Sequence, residues 1–431
     1  MRDDSSLDNT VFDASEIHTF SITYDEAEYA AMIETYSNNA DKKWISATAV
    51  IDGTTFENVG LRLKGNSSLR GVSAETSGED IPWLIRLDKY VDGQNLDGYT
   101  DFVVRSNSSE TSLNEAISQT LFAEAGLASQ AAIAVRFSAN GSAEVLRLVV
   151  ENPNDEWDES QFDSPGILYK AEADGDYSYR GDDPASYEDV FDQESDKDNE
   201  NYTPLIEFLQ FINESEDETF AAELPEHLDV TAFASYLAMQ DLVDNFDDIS
   251  GPGNNSYLRW NSETGVFTVV NWDLNLAFGA NAVPGATEQG DRDGEIPGSE
   301  VSGPGNPPEG FEPGDTPDRS GGGNPPEGFE PGDTPDRSGG GKNIGLGNIL
   351  KERFLEVAEF NELYQQAAAD LRAELYDSGR AQEVLDQWTA LLSDHAADLV
   401  DADTLAQESQ SIAAYFTATN TTEPSGGESD Q

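Results

Sequence analysis

Short apolar runs that alternate with polar residues dominate the first third of the chain. A period of two is typical of half-buried strands, and the D-G and N-G pairs at 52–53 and 140–141 are turns that join antiparallel neighbours. A helical period predicts one long helix over residues 113–125. This part therefore predicts an antiparallel sheet with one long helix. Strands are predicted over residues 18–22, 44–51, 56–63, 82–90, 133–137 and 145–150, and a further helix over residues 24–36.

Helical periodicity takes over after residue 151. Thr203 and Asp229 each precede an amphipathic stretch, as N-cap residues do. Strands are predicted over residues 166–172, 256–260 and 267–270, and helices over residues 203–212, 230–242, 350–376, 382–399 and 404–416.

A segment rich in Pro and Gly separates the last helices from the rest. Residues 306–323 and 324–341 are two copies of N-P-P-E-G-F-E-P-G-D-T-P-D-R-S-G-G-G. Because this composition cannot bury a core, we expect a disordered spacer, with a docking or phosphorylation segment as the alternative. The predicted divisions are a disordered N-terminus at 1–16, a first lobe at 17–151, a second lobe with the active-site loops at 152–280, the insertion at 281–342, closing helices at 343–416 and a disordered tail at 417–431.

The chain is strongly acidic, with 85 Asp and Glu against 23 Lys and Arg and a formal net charge of −62. Such a surface repels nucleic acid and anionic lipid, which excludes both as main partners, and it suits a protein in high salt or outside the cell. Cysteine is absent and the three histidines are scattered, so we expect no disulfide, no Cys nucleophile and no histidine-based zinc site. No apolar run is long enough to span a membrane. We expect an extracellular or cell-surface monomer whose export signal has been removed.

Candidate chemistry begins at residues 267–279, F-T-V-V-N-W-D-L-N-L-A-F-G. The apolar run 267–270 predicts a buried strand, and Asp273 follows shortly after it. A carboxylate in that position is suited to hold a metal ion against phosphate oxygens. The alternative is that Asp273 only caps the next turn.

A second acidic cluster, D-N-F-D-D at 244–248, follows a predicted core helix, and Asn254 and Asn255 come shortly afterwards. A helix, an acidic loop, a hairpin and another acid would bring two carboxylates and an amide together. One acid could then orient or deprotonate a hydroxyl while the amide and the second acid hold a divalent ion. The alternative for such a charge run is solvated surface.

Two further features have more than one interpretation. Gly65, in R-L-K-G-N-S-S at 62–68, could begin a turn that offers N–H groups and hydroxyls to phosphate, or a plain hairpin turn. Glu115 either completes a capping box with Ser112 or forms an ion pair with a base on the preceding strand, for which Arg86 is the obvious candidate.

A strand-rich first lobe, a short connector and a helical second lobe with the acids resemble a protein kinase. More specifically, the chain resembles the spore-coat-protein-H (CotH) kinase family over residues 16–279 and, more weakly, 343–416. The strings that carry the resemblance are V-G-L-R-L-K-G-N-S-S (59–68), P-W-L-I-R-L-D-K-Y (82–90), L-N-E-A (113–116), L-V-V-E-N-P (148–153), G-I-L-Y-K-A-E (166–172), D-N-F-D-D (244–248) and V-N-W-D-L-N-L-A-F-G (270–279). The fold this implies is α+β and two-lobed, with an antiparallel-sheet N-lobe carrying one long helix and a mostly helical C-lobe.

The resemblance also implies how a nucleotide would be held. Arg86 would take the place of the ATP-holding base and pair with Glu115, although Lys64 or Lys170 could reach the phosphates instead. The implied nucleotide-binding residues are Lys64, Gly65, Asn66, Ser67, Ser68, Arg86, Glu115, Glu151 and Lys170.

For catalysis, the resemblance makes Asp247 the catalytic-loop acid. Asp273 would be the second catalytic acid and a metal ligand. Asn255 would be the metal-holding amide, with Asn254 as its alternative.

The function that the resemblance implies is a secreted or surface-associated atypical protein kinase. It would use ATP with Mg²⁺ or Mn²⁺ to phosphorylate Ser and Thr of a protein substrate, with self-phosphorylation expected. The alternatives are a catalytically silent surface adhesion or binding module, and hydrolysis of phosphate esters.

Overall fold

Seven strands from the first third of the chain close into a barrel. The computed structural model describes residues 7, 10–65, 67–173, 175–251, 254–280 and 347–417. Around the barrel the strand order is β1-β2-β3-β4-β5-β7-β6, and β6 pairs in parallel with β1 to close it. The strands are β1 His18–Tyr24, β2 Ile45–Ile51, β3 Thr54–Leu63, β4 Trp83–Arg86, β5 Asp101–Val104, β6 Ala132–Ala139 and β7 Val145–Glu151, and helix α1, Glu26–Asn39, connects β1 to β2.

Alternation along β3 gives the barrel two different faces. Leu61 and Leu63 are fully buried in the core inside the barrel. Arg62 lies between these two leucines and points to the opposite face of β3. It is opposite Leu84 of β4, and Leu84 belongs to a second core outside the barrel. The outer face of β3, β4 and β5 is therefore covered by the rest of the protein.

The rest of the protein consists of a four-stranded antiparallel sheet and helices that pack on the barrel. In the part of the chain that the structure describes, this sheet has the order β11-β10-β8-β9. Its strands are β8 Gly166–Ala171, β9 Phe191–Gln193, β10 Ser256–Asn261 and β11 Phe267–Asn271. The helices are α2 Leu113–Glu124, α3 Asp155–Gln161, α4 Thr203–Glu214, α5 Asp217–His227, α6 Val230–Leu242, α7 Ile349–Glu356, α8 Ala358–Leu371, α9 Arg380–His395 and α10 Ala402–Thr417.

The α+β class is as predicted, but the two-lobed protein-kinase-like fold is wrong. The first sheet is a closed barrel, with one parallel pair, where an open antiparallel N-lobe was expected. A second sheet stands where a mostly helical lobe was expected. Closure satisfies the edge N–H and C=O groups of β1 and β6, which an open sheet would leave unpaired.

Several predicted elements differ in extent. The strand predicted over 82–90 ends at Arg86, and the helix predicted over 350–376 is divided at Val357 into α7 and α8, with a π-helical segment, Arg372–Asp377, after α8. Four elements were not predicted, namely β5, α3, β9 and α5.

Part of the predicted disordered N-terminus is packed on the barrel. Phe12 is fully buried and stacks on Phe102 with ring centroids 5.6 Å apart. The predictions for residues 1–6, 281–342 and 418–431 lie outside the described residues. None of the described helices has the length and hydropathy required to cross a bilayer.

Candidate functional site

Arg105 is the centre of a buried ionic cluster. It follows directly after β5, and its guanidinium donates to both oxygens of Glu115, on the first turn of α2, at 2.8 and 2.6 Å. It also bonds to the carboxylate of Asp273, just beyond β11. The Glu115 side chain is only 2% exposed. Burial raises the pKa of Glu115, whereas Asp273 and Glu115 raise the pKa of Arg105 although burial opposes its charge.

Trp272 joins this cluster to Lys64. The Nζ of Lys64 lies 5.3 Å from the Trp272 ring centroid, and the guanidinium carbon of Arg105 lies 5.6 Å from it. The indole packs edge-to-face on Tyr257, with centroids 5.7 Å apart, which holds it in place. Two cations that follow different strands of the barrel thereby meet the ring of Trp272, the residue before Asp273.

A chain of hydrogen bonds leads from Lys64 to the end of β7. The Nζ of Lys64 donates to Oδ1 of Asn152 at 3.0 Å, and Nδ2 of Asn152 donates to Asp101 at 3.0 Å. Burial lowers the pKa of Lys64 to about 8 and raises the pKa of Asp101 to about 6. Glu151, next to Asn152, accepts a hydrogen bond from the backbone N–H of Ala131 at 2.7 Å.

Lys42, Arg62 and Lys64 lie in one cluster of charges, and none of the three has a carboxylate of the described residues within 4 Å. Most described Lys and Arg side chains lie within 4 Å of an Asp or Glu, including Lys170, which pairs with Glu172. Burial and the positive charges of Lys170 and Arg62 lower the pKa of Lys42, so these three groups are neighbours. The Nε of Arg62 is buried without a hydrogen-bond partner. Glu194 acts on Lys64, and Glu172 and Asp192 act on Lys42, so this place is a mixed cluster of cations and acids. Its cations are the candidates for contact with an anion.

Asp247 lies in a loop that is tied to this region. The Nδ2 of Asn255 donates to the carbonyl of Asp247 at 2.9 Å, and Ser256 pairs with Asn271 in the β10–β11 register, so Asn255 lies near the start of the Asp273 turn. The backbone N–H of Phe278, at the end of that turn, donates to the carbonyl of Val243 at 2.7 Å. The structure therefore brings the Asp247 loop, Asn255 and the Asp273 turn together.

The predicted pairing of Arg86 with Glu115 is wrong. Arg86 lies 2.8 Å from Asp88 and 3.8 Å from Asp101, because β4 presents it toward the start of β5. The alternative capping box is also absent, since Ser112 makes no side-chain cap.

The predicted phosphate turn is described in part. Gly65 has φ +93°, a conformation that favours glycine, and a Cβ there would meet Oγ of Ser68. Ser67 begins a short 3₁₀ turn, Ser67–Leu69, and Asn66 lies outside the described residues. Asn254, the alternative metal amide, instead donates to the carbonyls of Glu172 and Gly175.

The main omission from the sequence interpretation is Arg105. The sequence did contain a pattern that could have pointed to Arg105. Residues 101–105, D-F-V-V-R, are a short apolar run that ends on a basic residue, and P-W-L-I-R ends on Arg86 in the same way. Asn152, Lys42 and Arg62 were also not predicted as site residues.

The residues fit a divalent ion that arrives with a nucleotide. Within the described ranges, no three Asp, Glu or His side chains form a metal cluster by themselves. Asp273 is 27% exposed, with one oxygen on Arg105. Mg²⁺ and Mn²⁺ take one or two protein oxygens and complete their shell with water and phosphates, and Asp273 and Asn255 carry oxygens of that type.

A cavity of about 380 Å³ lies away from the residues described above. It is lined by residues that include Phe162, Arg259 and Thr268, and by none of the predicted site residues.

A comparison with models of protein families shows which family the chain belongs to. The model described as "CotH kinase protein" matches residues 61–418. The chain belongs to the CotH kinase family. A comparison with curated proteins gave no match. The CotH match covers β4 through α10 and therefore includes Arg105, Asp247 and Asp273.

Proposed function

We propose that this CotH-family protein is an ATP-dependent protein kinase that phosphorylates Ser and Thr hydroxyls. One observation carries the proposal: Lys64 and Arg105 both contact the ring of Trp272, while Arg105 also bonds to Asp273. Cations for phosphate and an acid for a divalent ion are thus adjacent, as phosphoryl transfer requires.

The cations near Lys64 would allow a strongly acidic protein to bind a triphosphate. A protein with a net charge of −62 repels a triphosphate unless positive charge is concentrated where the triphosphate lies. Lys64, Lys170 and Arg105 would hold the phosphates, and Arg62 and Lys42 would add to the positive potential that Glu172, Asp192 and Glu194 oppose. Fixed cations in a partly dry site stabilise transferring charge better than water does.

Asp273 and Asn255 would hold Mg²⁺ or Mn²⁺. When bound, the ion neutralises charge on the phosphate oxygens. Asp273 must then share its carboxylate with Arg105, whose same Nη also donates to Glu115.

Asp247 would orient the acceptor hydroxyl and take its proton. The hydroxyl oxygen attacks the γ-phosphorus, the bond from that phosphorus to the β–γ bridging oxygen breaks, and ADP leaves with the electron pair. Asn255 fixes the backbone of Asp247, so the carboxylate keeps its place through the step.

The test is transfer of label from γ-labelled ATP, with Mg²⁺ or Mn²⁺, to the protein itself and to added Ser/Thr peptides. We expect labelling by the parent and its loss in Asp247→Asn. Asp244→Asn, in the same loop and at an exposed acid, is the matched control and should keep the activity. ATP should raise the melting temperature only with the divalent ion, and not in Asp273→Ala. A parent that carries no label under any of these conditions would refute the kinase proposal.

A catalytically silent surface-binding module is the second candidate. It is favoured by the salt bridge in which Arg105 already neutralises Asp273. Melting that is insensitive to nucleotide would support it, and free phosphate without a labelled protein would indicate phosphate-ester hydrolysis instead.

We also propose an extracellular or cell-surface location and a monomer. The acidic composition supports a location where salt screens the charge. Cell fractionation and sedimentation measure the two properties.

A further inference from the structure

Phe246 is an exposed aromatic residue beside the proposed catalytic acid. Its side chain is 56% exposed, and the other large apolar side chains exposed in the described residues are Tyr90, at 49%, and Val91, at 39%. Those two lie on the loop between β4 and β5, whereas Phe246 immediately precedes Asp247. An exposed ring at this place is available to whatever approaches the acid.

The loop that carries Phe246 is fixed on both sides. Asn245, before it, is buried and donates from Nδ2 to Gln240 at 2.9 Å. The carbonyl of Asp247, after it, accepts from Asn255 at 2.9 Å, and Asp248 pairs with Lys351 at 3.1 Å. Because its neighbours are held, the ring is presented at a defined position and does not depend on a loose loop for its exposure.

The surroundings of the ring limit what can cover it. Asp244 is exposed and Asp247 is half-buried, so Phe246 lies between two acids in the chain, while Lys351 is paired with Asp248. Acidic side chains are repelled there, while an apolar side chain gains by removing the ring from water. The partner that fits is a peptide segment with a bulky apolar residue and without acids beside it.

We propose that Phe246 contacts the protein substrate next to the acceptor Ser or Thr and selects a bulky apolar residue at that position. The proposal rests on the proposed kinase function, because Asp247 marks where the acceptor hydroxyl lies. It adds a substrate class: Ser or Thr flanked by Leu, Ile, Met or Phe.

The experiment uses the full chain and a peptide set with one Ser, in which each flanking position is in turn Leu, Ala, Lys or Glu. We expect the parent to prefer Leu over Ala at one flank by about tenfold in kcat/KM, the size of effect that apolar contacts give. Phe246→Ser should lose that preference through a higher peptide KM, with an unchanged KM for ATP. Phe246→Leu should keep most of it, and Tyr90→Ser, the matched exposed aromatic, should behave as the parent does.

Peptide binding measured by fluorescence polarisation with a non-hydrolysable ATP analogue needs no turnover, so it separates this proposal from the kinase proposal. The contact is supported if the Leu peptides bind more weakly to Phe246→Ser than to the parent and bind normally to the other variants. Equal binding by the parent and Phe246→Ser, or a parent that binds Leu and Ala peptides equally, overturns it. A parent that binds the Leu peptides selectively but transfers no phosphate refutes the kinase proposal and keeps the contact.

Discussion

Arg105 donates to both carboxylate oxygens of Glu115, from Nε at 2.8 Å and from an Nη at 2.6 Å. The two residues lie ten positions apart and connect the end of β5 to the first turn of α2. A forked pair of this kind fixes direction as well as distance, and the same Nη that donates to Glu115 also donates to Asp273.

Removing the guanidinium should damage stability and nucleotide binding together. Arg105→Gln leaves the buried Glu115 without its cation, and breaking a buried pair in this way costs about 3–5 kcal/mol. Urea denaturation measures the loss. In the double variant Arg105→Gln/Glu115→Gln no buried charge is left unpaired, so we expect most stability to return while nucleotide binding stays weak. A single variant as stable as the parent would contradict the ionic role.

Nucleotide affinity should fall as the pH rises past 8. Burial lowers the pKa of Lys64 to about 8, so its amine is charged below that pH and neutral above it. Only the charged form attracts phosphate. Calorimetric titration of ADP from pH 6.5 to 9.5 measures the change, and Lys64→Arg should flatten the profile because arginine stays protonated. An identical slope in the variant would assign the dependence to another group.

Asp101 should make folding less favourable as the pH rises from about 4 to 6. Its pKa is raised from 3.8 to about 6 by burial, so the folded state binds the extra proton and its stabilising effect is lost as that proton leaves. Asp101→Asn should therefore raise the free energy of unfolding at pH 7 by about 1–3 kcal/mol and leave it nearly unchanged below pH 4. Denaturant titrations of both proteins at the two pH values check this. If Asp101→Asn raised the free energy of unfolding by the same amount at both pH values, the cause would not be the titration of Asp101.

A methyl group at Gly251 should displace the catalytic acid. A Cβ there would lie 2.4 Å from Cα of Asp247 and 2.6 Å from the carbonyl oxygen of Phe246, and backbone atoms cannot move aside cheaply. We expect Gly251→Ala to cost about 1–3 kcal/mol and to lower kcat more than it alters the KM for ATP. Ser250→Ala, whose hydroxyl has no hydrogen-bond partner, is the neighbouring control. Full activity in Gly251→Ala would show that the loop adapts.

Local pattern predicted most of the helices and strands but not which strands pair with one another. The alternation in β3 predicted that strand, and the helical period with Glu115 on its first turn predicted α2. The pairing of His18 with Val135, which closes the barrel, joins residues far apart in sequence and leaves no periodic trace. The sheet was therefore predicted open when it is closed.

The same limit affected the site. Lys64 and Asp273, each at the end of a clear strand, were predicted as site residues, and the structure places Lys64 over the ring of Trp272 and Asp273 against Arg105. Arg105 was missed because β5 is only four residues long, between polar loops. Arg86 was chosen as the partner of Glu115 because its own strand was easier to recognise.

The match to the CotH family begins at residue 61, inside β3, so β1 and β2 precede it. Both strands are required for closure, since β2 pairs with β3 and β1 joins β2 to β6. A recombinant domain trimmed to the family boundary would also lose most of β3, and it would leave the remainder of β3 and the backbone of β6 as bare edges, which recruit strands from other molecules. The trimmed domain should aggregate, whereas a protein expressed from a start ahead of His18 should have no such unpaired strand edges.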